Sequence, residues 1–318
     1  MGLKRKMKFD ESFLKSTLQK TGVIIFLAAF ANLLWGSAAP CIKTGYKLFA
    51  IAADDTATQI LFAGVRFTLG GILAVVLGSL MQGQVLKPGR KAMPKVVVLA
   101  MLQTVIQYTL YYIGLAHTTG VKASILNPTN VFVAILISSL LFKLEKLTVR
   151  KLLGCLIGFA GVILINVAPG SLDFNISLLG EGCIMLSCTA YAFSYVVMKI
   201  FSVDENPVML SGYQFVVGGL IMVMIGFMMG GRLTTVTLGG VALMLYLAMV
   251  SAVAYSVWSL LMKYNPVSKI SVFTFLNPVF GVLLSTIILS EGSEFGFKGL
   301  VALVLACMGI IIVNRSKE

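Results

Sequence analysis

Residues 148 positions apart match along most of this chain, and each copy of the repeat carries five long apolar runs. Gly64 pairs with Gly212, Phe67 with Phe215, Gly70-Gly71 with Gly218-Gly219, and Ala100-Met101 with Ala248-Met249. Further along, Val131-Phe132 pairs with Val279-Phe280, Gly161 with Gly309 and Asn166 with Asn314. A single spacing that serves so many pairs marks a duplication. If each copy crosses a bilayer an odd number of times, the second copy enters it upside down. The fold expected is therefore an all-α membrane protein with ten transmembrane helices in two inverted five-helix repeats, its site lying between them.

The balance of residue types supports a bilayer as solvent. Of 318 residues, 58% are hydrophobic and only 12% are charged, too little polar surface for a water-soluble domain. The runs are continuously apolar and reach roughly 20 residues, which fits helices rather than the alternating strands of a barrel. The predicted spans of the first copy are Gly22–Phe49, Thr56–Leu80, Pro94–Ala116, Val121–Phe142 and Val149–Val167. Those of the second are Leu178–Ile200, Val208–Met229, Val236–Met262, Ser268–Leu289 and Phe295–Val313. The chain thus divides into a basic N-terminal segment (residues 1–21), a first repeat (22–168), a second repeat (169–314) and a short tail (315–318), with the copies meeting near Pro169-Gly170-Ser171. The first span is too long for a signal-peptide core and lacks a cleavage site, so it reads as a retained helix.

A net charge of +13 raises the question of nucleic acid, and its distribution answers it. Lys4, Arg5, Lys6, Lys8, Lys15 and Lys20, the Lys87/Arg90/Lys91/Lys95 and Lys143/Lys146/Arg150/Lys151 loops, Lys199, Lys263, Lys269, Arg315 and Lys317 all fall on one side of the predicted topology. The other side holds Lys43, Lys47, Lys122, Arg232 and Lys298 with Asp54, Asp55, Asp173, Glu291 and Glu294. That asymmetry puts both termini in the cytoplasm of a multi-pass protein of the plasma membrane and makes the charge an orientation device that also meets anionic lipid. The partners expected are a lipid bilayer and a small molecule, with no nucleic acid. Cys41, Cys155, Cys183, Cys188 and Cys307 lie within spans without metal-ligand spacing and read as packing residues, so neither a metal nor a cofactor is expected.

Several segments carry a family resemblance. Trp35-Gly36-Ser37 followed by Pro40 and Lys43 resembles the first helix of the drug/metabolite transporter superfamily, EamA type. Phe62-Ala63-Gly64-Val65-Arg66-Phe67 is similar to its second helix, and Asn277-Pro278-Val279-Phe280 before Glu291 to its ninth. The first copy departs from that pattern: Pro128 comes before Asn130, and Glu145 lies fifteen residues beyond Asn130, so the fourth helix is expected to bend or end differently. The resemblance implies transport of a small metabolite, often as efflux, without identifying it.

Polar groups in apolar helices are costly and point inward. On the third span Gln103, Gln107 and Tyr111 recur every four residues, and Ser251, Tyr255 and Ser259 stand at the equivalent places with Trp258 beside them. Either they line a shared cavity or they hold helices together by hydrogen bonds. Asn127, Asn130 and Asn277 sit beside Pro128 and Pro278, where a kink frees a carbonyl, so each is a ligand contact or a group that satisfies the broken backbone. In the first and sixth spans Asn32 and Trp35 face Tyr191, as a stacking platform or as core filling. Arg66 lies well inside the second span without an evident carboxylate partner and serves either structure or a substrate's negative charge. His117 and Glu181 sit at span ends, leaving no deep proton relay. The Gly154/Gly158/Gly161 stripe packs within the monomer or joins a homodimer.

A secondary transporter, its two copies rocking about a central cavity, is the leading expectation, and within that class an exporter of amino-acid-like compounds. Uptake or exchange of a sugar, nucleoside or drug-like compound is the alternative. An intramembrane enzyme or a receptor fits less well: there is no HExxH, no paired intramembrane carboxylate, no Gly-rich phosphate loop and no long binding loop.

Overall fold

The computed structural model describes residues 11–52, 54–118, 122–123, 126–166, 177–289 and 296–315. The Pro169-Gly170-Ser171 boundary, Asp173, Glu291, Glu294, Lys317 and the first residues of the N-terminal arm lie outside them.

The helices follow the hydropathy. A short helix α1 (Glu11–Leu18) precedes α2 (Thr21–Leu48), α3 (Thr56–Gln82), α4 (Met93–Ala116), α5 (Asn127–Leu141) and α6 (Val149–Asn166). The second copy supplies α7 (Leu178–Phe201), α8 (Pro207–Met228) and α9 (Leu238–Tyr264). It ends with α10, which runs through Val267–Ser271, Val272–Phe275 and Leu276–Leu289, and α11 (Gly296–Asn314). Nine of these are long and apolar enough to cross a bilayer, and α5 is a shorter apolar helix. The equivalent helices α3 and α8 start on side-chain caps. Asp55 accepts from the Thr58 amide at 2.9 Å, and Asn206 accepts from those of Val208 and Met209.

Helix α1 has no counterpart among the sequence expectations, which treat the N-terminal segment only as a basic arm. It is tied to the bundle where Gln19 donates to the Tyr264 carbonyl (2.9 Å) and Asn265 donates to that of Leu18 (3.0 Å).

Departures from regular helix fall where proline or an extra residue disturbs the ladder. Asn127–Thr129 around Pro128 is a 3-10 turn, and so is Val272–Phe275, one turn ahead of Pro278, whose missing N–H leaves the Thr274 carbonyl without its helical donor. Ile137–Leu141 is a π turn, and Lys143 follows in the left-handed region (φ 51°). Together they account for the late position of Glu145. A second π turn, Met101–Ile106, inserts one residue into α4.

The most extensive helix contacts join the copies instead of staying within them: α3 with α8, α6 with α11, α2 with α9 and α10, and α3 with α9. The inverted set, α7 with α4 and α5, and α8 with α4, mirrors the last three. Two bundles result, one of α2, α3, α9 and α10 and one of α4, α5, α7 and α8, with the α6–α11 pair at the side. Each bundle therefore combines helices from both sequence copies. At the α3–α8 contact, where the two bundles meet, glycine supplies the physical reason for the close approach. A Cβ on Gly64 would lie 2.6 Å from the Val223 amide nitrogen, and one on Gly212 would lie 2.6 Å from the Val75 side chain and 3.2 Å from its amide nitrogen. A Cβ on Gly71 would lie 2.5 Å from the Gly212 carbonyl, and one on Gly219 2.5 Å from the Thr68 amide. Both are under the closest approach real Cβ atoms make, so only glycine lets the two backbones touch. The same relation holds in both directions, which is the signature of a pseudo-two-fold axis.

Gly154 packs on Val313 and Gly309, Gly161 on Ala302, and Gly158 on the Phe275 ring. The small-residue stripe is thus used inside the monomer.

Candidate functional site

The pseudo-axis runs through the aromatic centre. Phe67 and its repeat equivalent Phe215 stack with centroids 5.1 Å apart and planes 5° from parallel. Tyr108 leans on Phe67 (4.4 Å), Tyr255 meets Phe215 edge-on (4.6 Å), and the two tyrosine hydroxyls bond at 2.9 Å across the bundles. From Tyr255 the rings continue to Trp35 (4.9 Å), Trp258 (5.0 Å from Trp35), Tyr195 and Tyr191. One connected wall of aromatic side chains therefore lies between α2 and α3 on one hand and α4 and α7 on the other, closed by α8 and α9.

Arg66 stands at the edge of this wall. It is 5% exposed, and its guanidinium carbon sits 4.3 Å from the Phe67 centroid. Among the described residues no carboxylate pairs with it, and its Nε has no hydrogen-bond partner. The equivalent residue in the other copy behaves oppositely. Gln214 is fully engaged, accepting from the Thr104 hydroxyl (2.7 Å) and donating to the Gln103 carbonyl (3.1 Å). One copy has turned this position into a clamp between α4 and α8, while the other leaves an unpaired cation next to the aromatic wall.

The remaining residues singled out in the sequence separate into two groups. Six of them carry a buried polar atom with no partner among the described residues. The donors are Trp35 Nε1, Trp258 Nε1 and Arg66 Nε, and the acceptors are Asn32 Oδ1, Gln107 Oε1 and Asn130 Oδ1. Such atoms are expensive in a low-dielectric interior, so each is available to a polar group that enters. The amide nitrogens of Asn32 and Asn130 are used locally, on the carbonyls of Ala28 (2.8 Å) and Asn127 (2.9 Å).

The other group is held by the protein itself. Gln103 belongs to the Gln214 clamp, and Ser251 bonds back to the Leu247 carbonyl. The Asn127 carbonyl accepts from Asn130 and from Cys188 Sγ. Tyr191 is tilted against Tyr195 (4.5 Å), and Asn277 is half-buried in α10. Tyr111 packs with Ala123, Ile184 and Cys188 in a separate small cluster.

The π turn in α4 explains this division. One extra residue rotates the helix that follows by roughly 100°. The four-residue stripe Gln103/Gln107/Tyr111 therefore does not stay on one face, and Tyr108 instead reaches Tyr255. Tyr108, Phe67, Phe215 and Tyr195 are residues that the sequence expectations leave out of the site. The Phe67/Phe215 repeat pair was the available signal, since equivalent residues of an inverted repeat meet if they lie on its axis.

The ends of the bundle hold the ionised side chains. At one end Glu181 accepts from Thr118 (2.5 Å), Lys122 (3.2 Å) and the Ser177 amide (2.7 Å). His117 is exposed and bonds through Nδ1 to the Ile113 carbonyl. At the opposite end, Glu145 and Lys151 form an ion pair at 2.7 Å with both side chains almost wholly buried. Burial pushes the Glu145 carboxyl up, but bonds from Lys151, Ser268 and Ser138 and the Lys151 charge outweigh it. They hold the group below its ordinary value and therefore ionised.

Comparison with known proteins agrees with this architecture. A solved crystal structure superposes with a TM-score of 0.75 over 92% of this chain and 98% of the other, at 16% identity, which establishes the fold alone. The uncharacterised transporter YvbV of Bacillus subtilis is 27% identical, spanning 95% of this chain and 94% of that protein. An uncharacterised transporter of Archaeoglobus fulgidus is 28% identical across 85% and 90%. A chloroplastic WAT1-related protein of Arabidopsis thaliana is 26% identical across 79% of this chain and 62% of its own length. The sequence profile of the EamA-like transporter family matches residues 22–167 and again 178–315. With both repeats matched and ten apolar helices in inverted order, this chain is a membrane protein of the EamA-like transporter family.

Proposed function

We propose that this protein is a secondary transporter that exports small amino-acid-like metabolites from the cytoplasm, with Arg66 as the contact for the substrate's carboxylate. Arg66 is the observation that carries the reading. A guanidinium buried in a membrane helix bundle without a counter-ion is costly, and an incoming carboxylate offsets that cost through paired N–H···O bonds. The indole N–H groups of Trp35 and Trp258 add donors, while the free oxygens of Asn32, Gln107 and Asn130 suit an ammonium group. Donors and acceptors in similar number, set against aromatic rings, fit a zwitterion with an apolar side chain better than a multivalent cation.

Transport follows from exposing this centre to each side in turn. The exchanged bundles pivot on the close α3–α8 contact, and the substrate's own gradient, or that of a coupled ion, sets the direction. The positive-inside asymmetry supports a cytoplasmic location for both termini and for the Glu145 end.

Purified protein screened by thermal shift against amino acids, nucleosides, sugars and cationic drugs tests the class, followed by flux of each hit into liposomes. Stabilisation and flux with carboxylate-bearing amino acids are expected. Stabilisation only by sugars or nucleosides would overturn the substrate class, and hits that never cross the liposome membrane would overturn transport.

A further inference from the structure

The transport reading leaves unused the most completely buried ion pair described in the molecule. Glu145 lies between α5 and α6, and each of its oxygens is doubly engaged. Oε1 accepts from Ser138 Oγ on α5 (2.7 Å) and from the Ser268 amide on α10 (3.0 Å). Oε2 accepts from Lys151 Nζ on α6 (2.7 Å) and from the Ser268 hydroxyl. Lys151 is in turn fixed on the Lys146 carbonyl at 2.8 Å. The carboxylate thus ties α5, in one bundle, to the start of α10, in the other.

Other polar bonds between the bundles collect at the same end. Lys199 on α7 donates to the Asn265 carbonyl (2.5 Å) and the Met262 carbonyl (3.3 Å) beyond and within α9. The hydroxyls of Ser211 on α8 and Ser259 on α9 bond to one another. Glu181, at the far end, makes a different pattern. Its partners Thr118, Lys122 and Ser177 border α4, α5 and α7, all of one bundle, so its bonds survive a movement between bundles. Among the described residues, only the Glu145 carboxylate draws in backbone and side-chain donors from both bundles together.

We propose that Glu145 and Ser268 form the latch that closes the transport pathway at the Lys/Arg-rich end, and that parting them opens this face. The proposal rests on the alternating-access reading for its purpose but not for its test. The geometry explains why a carboxylate is used. Ser268 offers two donors to one anion, so the contact is strong when seated and is lost as a unit when α10 tilts. Lys151 and Ser138 stay with Glu145 on the other side, so the separated carboxylate is not left without partners. That makes the parting reversible, where an isolated buried charge would resist it.

The test reads accessibility, which requires no substrate. In a background with the five native cysteines replaced, Thr274→Cys on α10 serves as a reporter, since Thr274 is buried and follows Ser268 in the same helical run. A membrane-impermeant maleimide is applied to inside-out and to right-side-out vesicles. Glu145→Gln should raise labelling from the basic face about tenfold or more, and Ser268→Ala should raise it by a smaller factor. Unchanged labelling in both variants overturns the latch. A response to Glu145→Gln with none to Ser268→Ala also overturns it, because the carboxylate then only staples α5 to α6. Should Glu145→Gln fail to give monodisperse protein, Ser268→Ala alone decides. Increased labelling in a chain that carries no substrate flux would uphold the latch and reject the transport reading.

Discussion

Replacing Gly71 by alanine puts a methyl group where two backbones already touch. Its Cβ would lie 2.5 Å from the Gly212 carbonyl oxygen and 2.6 Å from the Val216 amide, whereas ordinary contact begins at 3.4 Å. Relief of the shorter contact needs 3.4 − 2.5 = 0.9 Å of separation between α3 and α8. Neither contact is the end of a flexible side chain, so the helices themselves have to part. Overpacking of this kind costs about 1–3 kcal/mol, and a gap approaching 1 Å along the rest of the interface forfeits roughly a quarter to a half of the dispersion there. A loss of about 3 kcal/mol is therefore expected. Gly219→Ala meets the Thr68 amide at the same 2.5 Å, so its cost should match. The double variant should lose less than the sum, since the separation forced by one methyl accommodates the other. Gly22→Ala is the control, with nothing within 4 Å of its Cβ. The assay is the midpoint of aggregation on heating in detergent, followed by size-exclusion chromatography, read as a kinetic stability. A Gly71→Ala protein as stable as Gly22→Ala, or a large effect confined to one copy, would refute the two-fold glycine contact.

Other consequences follow from the site. Thr104→Val removes the donor to Gln214 and leaves a buried amide oxygen short of a partner, at an expected cost of about 1–3 kcal/mol in the same heating assay. Tyr108→Phe and Tyr255→Phe each break the hydroxyl pair at the aromatic centre; each should cost about 0.5–1.5 kcal/mol, and the pair together little more than either alone. The Glu145 carboxyl is held below its usual value, so its contribution is present above the ordinary carboxylate range and lost only as pH falls below it. Basic-face labelling of the Thr274→Cys reporter, divided by that of a fully accessible cysteine at the same pH to remove the change in thiolate fraction, should accordingly be flat between about pH 5 and pH 8, with a step in that window ruling out the assignment.

What is legible in the sequence is what one-dimensional periodicity encodes. Span positions follow from hydropathy, and inversion follows from an odd number of spans per copy. Phe67/Phe215 and Gly71/Gly219 were visible as matched residues, but not as residues in contact, because a spacing of 148 says nothing about where the symmetry axis passes. The exchange of helices between copies depends on which glycine faces fit, a property of two surfaces and not of either alone. The α4 stripe failed for a local reason: a helical period was carried through Met101–Ile106, where a π turn adds one residue and brings Tyr108 in place of Tyr111. Glu145 reads as a loop acid because its partners, Ser138, Lys151 and Ser268, come from three separate segments. Arg66 was legible as an oddity, and its contrast with the satisfied Gln214 gives the oddity a physical meaning.

Whether Arg66 receives a substrate carboxylate is decided by a binding cycle. The affinity of the best amino-acid hit and of its carboxamide analogue would be measured by calorimetry on the unmodified protein, Arg66→Lys and Arg66→Gln. A charge-assisted pair contributes about 1.5–3 kcal/mol, so the unmodified protein should prefer the carboxylate by roughly tenfold to a hundredfold. That preference should shrink in Arg66→Lys, which lacks the planar fork of donors, and vanish in Arg66→Gln. An equal preference for the carboxylate in all three proteins would show that Arg66 does not receive it.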